Sequence, residues 1–233
     1  DIVAVRGTEE GEDRYDERLF AVQREAMIAD VPTEFHRGQG KDPASEIHGV
    51  ALDTDAQLLV VGRCATPGTS AAVDPGARRI VAAAPCNVLV VPENGKLWSR
   101  RILVAFDGSR AAQSAFAFAL QIAKPMRLPL TLFSAVDHAG NLPPAIADEV
   151  ELALAAARLE GVSAEHVIRS GRIAESILAA TADAGADLIV LYRHTRSGLG
   201  RALMGSVSND VLERADVPVL LCGGDQRVGS ETG

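Results

Sequence analysis

The residues that could carry chemistry are concentrated in one basic loop. An apolar run, 187–192, and a predicted helix, 202–215, enclose a short segment that carries four basic side chains: Arg193, His194, Arg196 and Arg201. Clustered cationic groups attract phosphate. The positive charge of this loop favours phosphate, and His194 is the histidine of interest because it lies there.

Other catalytic patterns are missing from the sequence. Gly40-Lys41 has Phe35 where a phosphate-binding Gly-x-x-x-x-Gly-Lys loop needs glycine. Gly198-Leu199-Gly200 lacks the third glycine of a dinucleotide fingerprint, and no Gly-x-Ser-x-Gly elbow occurs.

The histidines and cysteines do not form a metal-binding pattern. We interpret the five histidines as surface or loop residues and the three cysteines, which lie near predicted strand ends, as small buried hydrophobic residues. They are His36, His48, His138, His166, His194, Cys64, Cys86 and Cys222.

The basic loop is positioned by alternating strands and helices. Short apolar runs predict strands at 101–106, 130–136, 164–169, 187–192 and 217–221. The intervening segments predict helices at 111–123, 150–159, 173–182 and 202–215, with Pro125 stopping the first and Gly161 closing the second. This alternation predicts an α/β fold with a parallel sheet covered by helices on both faces.

The first half of the chain repeats the second. Residues 56–62 match 186–192, and residues 84–91 match 215–222. We therefore expect a domain at 1–92, a second at 100–222 and a flexible tail at 223–233. The first half has no counterpart of 102–123; a strand at Ile2–Arg6 and a helix at Glu17–Ile28 are its earliest predicted elements, so it lacks strand one and helix one.

The second half resembles the universal stress protein family, and the first half resembles it more weakly. The resemblance rests on three segments: 104–109, which ends in Asp107-Gly108-Ser109; 186–190; and 205–212, which leads into 217–220. It implies a five-stranded parallel sheet of order 3-2-1-4-5 in each domain, with strand one absent from the first. It also implies a regulatory, stress-response function.

Many family members bind ATP or a related adenine nucleotide, with magnesium, at the carboxyl ends of the strands. Their motif is glycine, two residues, glycine, nine residues, then Gly-Ser or Gly-Thr. Gly205-Ser206 supplies the last pair, whereas Tyr192 and Thr195 replace the first two glycines. The resemblance therefore implies a degraded nucleotide site, and weak binding and an empty pocket both stay open.

The resemblance also implies roles for individual residues. Asp107 would accept a hydrogen bond from the sugar or base, and Gly205, Ser206 and Ser208 would donate to phosphates at a helix N-terminus. Phe106 and Tyr192 would fill the adenine space or stack on a base. The candidate site comprises Ala105, Phe106, Asp107, Ala135, Leu191, Tyr192, His194, Thr195, Gly205, Ser206, Val207 and Ser208.

We do not expect the first half to bind nucleotide. Gly62 stands at the first glycine position, but Asp74-Pro75-Gly76 replaces the Gly-Ser pair. A carboxylate repels phosphate, and proline has no N–H to donate.

Two structural expectations follow from the order 3-2-1-4-5. The fifth strands at 88–91 and 219–221 should pair antiparallel within the chain, as they do across dimers in this family; a homodimer is a further expectation. Without strand one, strands two and four have no shared neighbour. We therefore expect that Asp1 is not the natural beginning, and that about 40 residues precede it or another segment fills the gap.

Composition limits the partners and leaves alternatives. A net charge of −8 argues against nucleic acid, and no apolar stretch is long enough to insert into a membrane. An odd number of cysteines favours a reducing cytoplasm. One alternative is a cytoplasmic regulatory domain of a larger protein, such as a transporter, that acts through protein contacts.

Another alternative is an adenine-nucleotide enzyme of related fold. Such an enzyme would need a Ser-Gly-Gly-x-Asp-Ser loop, which Asp107-Gly108-Ser109 does not supply. We expect no enzymatic activity beyond slow ATP hydrolysis.

Overall fold

A computed structural model describes residues 2–5, 12–38, 42–63, 75–136, 141–193 and 205–223. The strands in these ranges are β1 (Ile2–Val5), β2 (Phe35–Gly38), β3 (Leu58–Arg63), β4 (Asn87–Pro92), β5 (Ile102–Ala105), β6 (Leu130–Val136), β7 (Ala164–Ser170), β8 (Leu188–Tyr192) and β9 (Val219–Cys222). The helices are α1 (Glu12–Ile28), α2 (Pro43–Asp53), α3 (Pro75–Ala83), α4 (Arg110–Met126), α5 (Pro144–Leu159), α6 (Ile173–Ala184) and α7 (Ser206–Arg214).

Seven strands form one sheet in the order β3-β4-β9-β8-β5-β6-β7. Within the second half, β7-β6-β5-β8-β9 is the order 3-2-1-4-5, and all four neighbouring pairs are parallel. The predicted α/β fold and strand order of this half are therefore confirmed.

The two halves meet through β4 and β9. These strands pair antiparallel, with Val88 opposite Leu221 and Val90 opposite Val219. The expected pairing of the fifth strands inside one chain is confirmed. Two apolar strands that would otherwise be open edges thus satisfy each other's backbone groups.

Strand alternation divides the interior into two cores. Ile102 and Val104 point to the first core, beneath α4 and α5, whereas Leu103 points to the second core on the opposite face of the sheet. The second core receives side chains from α3, α6 and α7, so both halves contribute to it. A strand buried on both faces has to be apolar at every position, which explains the continuous apolar runs in the sequence.

Several helix boundaries differ from the prediction. Helix α1 begins at Glu12 and not at Glu17, and α7 begins at Ser206 and not at 202. The expected stop at Pro125 is wrong, because α4 continues to Met126 and ends at Arg127, whose φ is 53°. The expected start at Val150 is also wrong, because α5 begins at Pro144. Proline fits a helix start since the first N–H groups have no acceptor within the helix.

The described elements of the first half repeat the later elements of the second half. Strands β1 to β4 and helices α1 to α3 follow the same order as β6 to β9 and α5 to α7, and among the described residues β5 and α4 have no counterpart. Strands β1 and β2 form a separate parallel pair, while β3 and β4 join the large sheet. As expected, the strands that would flank strand one lie in different sheets.

The segment between the halves is fixed by Asp187, the residue before β8. Its carboxylate accepts hydrogen bonds from the backbone N–H groups of Ser99, Arg100 and Arg101, at 2.8, 3.0 and 3.0 Å. The chain that leaves β4 is therefore tied to β8 before it enters β5.

The pairing of β4 with β9 makes a prediction about stability. Leu220 is 1% exposed and lies opposite Leu89, so Leu220→Ala leaves a cavity where the halves meet. We expect the free energy of unfolding to fall by about 2–5 kcal/mol in urea denaturation. Leu159→Ala, at a side chain that is 89% exposed, should change it by less than about 0.5 kcal/mol. Equal losses in the two variants would contradict the shared core.

Candidate functional site at the carboxyl ends of β5 and β8

The site lies where two neighbouring parallel strands end. β5 pairs with β6 on one side and with β8 on the other, and the chain leaves β5 and β8 in opposite directions across the sheet. Helices that follow such strands begin at this edge, with a crevice between them. Asp107 follows β5 and Tyr192 ends β8, so their side chains are brought together.

The turn after β5 holds Asp107 in place. Gly108 has φ of +76°, a conformation that glycine adopts without strain. The Asp107 carboxylate accepts a hydrogen bond from the N–H of Ser109 at 3.0 Å. The Ser109 hydroxyl in turn caps α4, accepting from the N–H of Ala112 at 3.2 Å.

Tyr192 donates a hydrogen bond to this carboxylate, and Asp107 remains exposed. The Tyr192 hydroxyl donates to Asp107 Oδ2, with an O···O distance of 2.5 Å. Burial, strengthened by the adjoining carboxylate, raises the pKa of the Tyr192 hydroxyl, so it stays a donor. Burial opposes ionisation of Asp107, but hydrogen bonds from Tyr192 and Ser109 outweigh it and lower the pKa of the carboxyl.

The N-terminus of α7 supplies the other polar groups. Gly205 is the N-cap, and the first bond within the helix runs from the N–H of Asn209 to the carbonyl of Gly205. The N–H groups of Ser206, Val207 and Ser208 precede that bond and can therefore serve an anion. The Ser206 side chain is exposed, whereas that of Ser208 is 8% exposed and faces inward.

Four of the other predicted site residues are packed into the protein. Phe106 is 2% exposed and meets Phe116 edge-on in the first core, with ring centroids 6.2 Å apart. Leu191 is buried in the second core, and Ala105 and Ala135 are half-buried against it. His194, Thr195, Arg196 and Arg201 lie outside the described residues.

Arg193 donates to backbone carbonyls and not, as expected, to a phosphate. Its guanidinium is buried and donates to the carbonyls of Val81, Ala84 and Cys86, at 2.5, 3.1 and 2.9 Å. These carbonyls lie at the C-terminus of α3 and the start of β4, where the helix dipole favours a cation. The residue that opens the basic loop is thereby fixed to the first half instead of facing a ligand.

A buried hydrogen-bond network beneath Asp107 was not predicted from the sequence. Ser134, in β6, donates to the carbonyl of Phe106 at 2.6 Å, and Nε2 of His166, in β7, lies 3.0 Å from the Ser134 oxygen. The surface or loop interpretation of His166 is wrong, because this histidine is half-buried within a strand and burial lowers its pKa. The network links three strands at the residue that precedes Asp107.

Other kinds of site find no support in the described ranges. No group of three histidine, cysteine, aspartate or glutamate residues there is arranged to hold a metal ion. Cys86 and Cys222 are buried free thiols, as expected. None of the described helices combines the length and apolarity that crossing a membrane requires.

The fold and the site define a class of tandem α/β proteins with polar side chains gathered at the carboxyl edge of the sheet. The sequence model of the universal stress protein family matches residues 2–92 and 99–223. The chain therefore belongs to the universal stress protein family.

Individual relatives cover the chain to different extents. Universal stress protein Slr1230 of Synechocystis sp. is 28% identical over 173 residues, which are 72% of this chain and 58% of that protein. Rv2005c of Mycobacterium tuberculosis, also a universal stress protein, is 35% identical over 133 residues, 52% of this chain and 44% of that protein. The chain thus spans about half the length of these curated relatives.

Solved structures share the fold. Protein PA1789 of Pseudomonas aeruginosa PAO1, described as functionally unknown, matches with a TM-score of 0.73 and 18% identity, over 96% of this chain and 81% of that one. A universal stress protein of Archaeoglobus fulgidus matches with a TM-score of 0.65 and 21% identity, over 96% and 84%. At these identities the likeness concerns the fold alone.

The buried Arg193 predicts a large effect on stability. Arg193→Met leaves buried carbonyls at the junction of the halves without their donor, and an unsatisfied buried group costs about 1–3 kcal/mol. We expect a loss in this range or above it, measured by urea denaturation. Arg172→Met, at a side chain 77% exposed that pairs with Glu175, should lose less than about 1 kcal/mol. A loss no larger at Arg193 than at Arg172 would refute the bridging role.

The Tyr192–Asp107 contact predicts a dependence on pH. Because the pKa of Asp107 is lowered from 3.8 in the folded protein, its contribution to stability is complete above pH 3.8 and disappears as the pH falls through the lower folded value. Tyr192→Phe should therefore cost about 1.5–3 kcal/mol at pH 7, since the acceptor is charged, and progressively less below pH 3.8. Unfolding free energies of both proteins from pH 7 to pH 2.5 would measure this.

Asp107→Asn provides the control for that experiment. Adding Tyr192→Phe to Asp107→Asn should cost less than Tyr192→Phe alone, since the charged acceptor is already gone. A pH-independent cost of Tyr192→Phe, unchanged in the Asp107→Asn background, would show that the ring and not the hydrogen bond matters.

Proposed function

We propose that this protein is a regulatory module of its family whose second domain binds adenine nucleotide weakly at the carboxyl ends of β5 and β8. The observation that carries the proposal is the hydrogen bond between Tyr192 and Asp107. It occupies the carboxylate that, by resemblance to the family, would accept a hydrogen bond from the ribose or base. A nucleotide and the protein's own phenol therefore compete for one acceptor.

The strength of that competition sets the expected affinity. A hydrogen bond to a charged group contributes about 1.5–3 kcal/mol, and each 1.4 kcal/mol is a factor of ten in a dissociation constant. Displacing Tyr192 from Asp107 would therefore weaken binding by about tenfold or more. This supports a site that responds only to high nucleotide concentrations.

The start of α7 supports the phosphate end of the proposed site. A Cβ added at Gly205 meets no atom of the described residues within 4 Å. Ser206 is exposed next to it, and a magnesium ion would accompany the phosphates. The proposed role of nucleotide binding is regulation.

Titration with ATP tests the proposal through two changes at one residue. Tyr192→Phe removes only the hydroxyl and frees Asp107, whereas Tyr192→Gly also restores the glycine of the family motif. We expect weak binding by the wild-type protein, about tenfold tighter binding by Tyr192→Phe, and the tightest by Tyr192→Gly. Isothermal titration calorimetry gives the three dissociation constants, and thermal melts check that each variant is folded.

A pair of glycine variants fixes the location of the site. Gly205→Asp adds a carboxylate at the start of α7, where φ is −63° and no strain arises, and it should abolish binding. Gly49→Asp adds the same charge in α2, also into open space, and should leave binding unchanged. Micromolar binding that survives Gly205→Asp would refute this site. No binding by any variant would favour the alternative, a module that acts through protein contacts without nucleotide.

A further inference from the structure

Helix α5 exposes an apolar row of side chains on its outer face. Leu152 is 65% exposed and Leu159 is 89% exposed, and Ala155 is exposed between them. Their spacing of three and four residues places these side chains one above another along the helix. The opposite face carries the buried residues of the helix, which are Val150, Ala153 and Ala157. α5 is therefore apolar on both its inner and its outer face.

The neighbouring helix α4 has a more polar outer face. Its exposed row at similar spacing consists of Ser114, Ala117, Gln121 and Lys124. A surface helix normally has polar side chains on its outer face, and a helix that is apolar all round is normally buried. α5 packs against β7 and α4 in the half where all five strands of the order 3-2-1-4-5 are described. Its apolar outer face thus lies on a domain whose sheet has all five strands.

Charged residues beside the row make this face complementary to itself. Glu151 and Arg158 are exposed and seven residues apart, so they lie on the same side of the row, about two turns from each other. When a second copy of α5 packs against the first in the antiparallel direction, Glu151 of each copy lies opposite Arg158 of the other. Leu152 of each copy then lies opposite Leu159 of the other. The small Ala155 stands at the centre and lets the two helices approach closely.

We infer that the outer face of α5 is the contact between two copies of this chain, which pack antiparallel through these helices. A twofold contact uses the same surface on both copies and therefore needs a self-complementary one. Asp148 continues the row beyond Leu152, but a partner helix that ends at Leu159 stops about one turn short of it. One pair of helices is at the small end of specific interfaces, so we expect a reversible dimer that forms at high protein concentration.

Sedimentation equilibrium of the wild-type protein, from about 5 to about 500 µM, should show a monomer–dimer equilibrium. Leu152→Lys combined with Leu159→Lys should weaken association at least about tenfold, because apolar contacts are lost and like charges face each other. Leu52→Lys combined with Leu97→Lys is the matched control. It adds the same charge at leucines outside α5 that are 56% and 73% exposed, and it should leave association unchanged. Because all four leucines are exposed, thermal melts should find both variants folded.

Exchange of the two charges tests the antiparallel direction. Glu151→Arg or Arg158→Glu alone places like charges opposite each other at two symmetric positions. Either change should weaken association by about threefold or more at low salt. The double variant Glu151→Arg with Arg158→Glu restores opposite charges and should recover the wild-type association.

Three results would each overturn the inference. One is a monomer over the whole concentration range. Another is a dimer that survives the two lysines on α5, or that Leu52→Lys with Leu97→Lys weakens equally, since the contact would then lie elsewhere. The last is a double charge variant that associates as weakly as either single variant, because an antiparallel contact requires the recovery.

Discussion

A parallel sheet that ends in an apolar strand leaves a row of backbone N–H and C=O groups unpaired, and here two such edges satisfy each other. β4 and β9 pair antiparallel, and their side chains contribute to both cores. Residues of α3 and β4 pack with residues of α6 and α7 in the second core, so this contact lets the two halves share it. Arg193, which spans from β8 to the end of α3, and the contact between Arg78 and Glu213 can form only because β4 lies beside β9.

The fold was predictable wherever a segment is buried on both faces. Residues 130–136 form a strand with the expected limits because nearly every side chain there is enclosed. Helix ends were less predictable, since they depend on local caps: Arg127 adopts a left-handed conformation that ends α4 beyond Pro125. Strand β2 was not predicted because Phe35-His36-Arg37-Gly38 has no apolar run.

The candidate site could be predicted from the sequence only in part. The position of Asp107 after a strand and before a helix could be read from the residues around it. The side of the sheet that Phe106 faces could also be predicted. Alternate residues of a strand face the same side, so Phe106 faces the same core as Ile102 and Val104. The hydrogen bond between Tyr192 and Asp107 could not be predicted, because these residues are 85 positions apart and meet only through the pairing of β5 with β8.

The two faces of the sheet carry unequal cover, and this makes the halves unequal. Helices α3, α6 and α7 cover the second core across both halves, whereas the first core lies under α4 and α5 of the second half. The described part of the first half therefore reaches the second core through α3, β3 and β4, but the first core mainly through Leu89 and Val91 of β4. Segments with fewer buried apolar contacts open first. Arg193 directly follows Tyr192 and donates to carbonyls at the end of α3, so the residue next to the Tyr192–Asp107 contact is fixed by the first half.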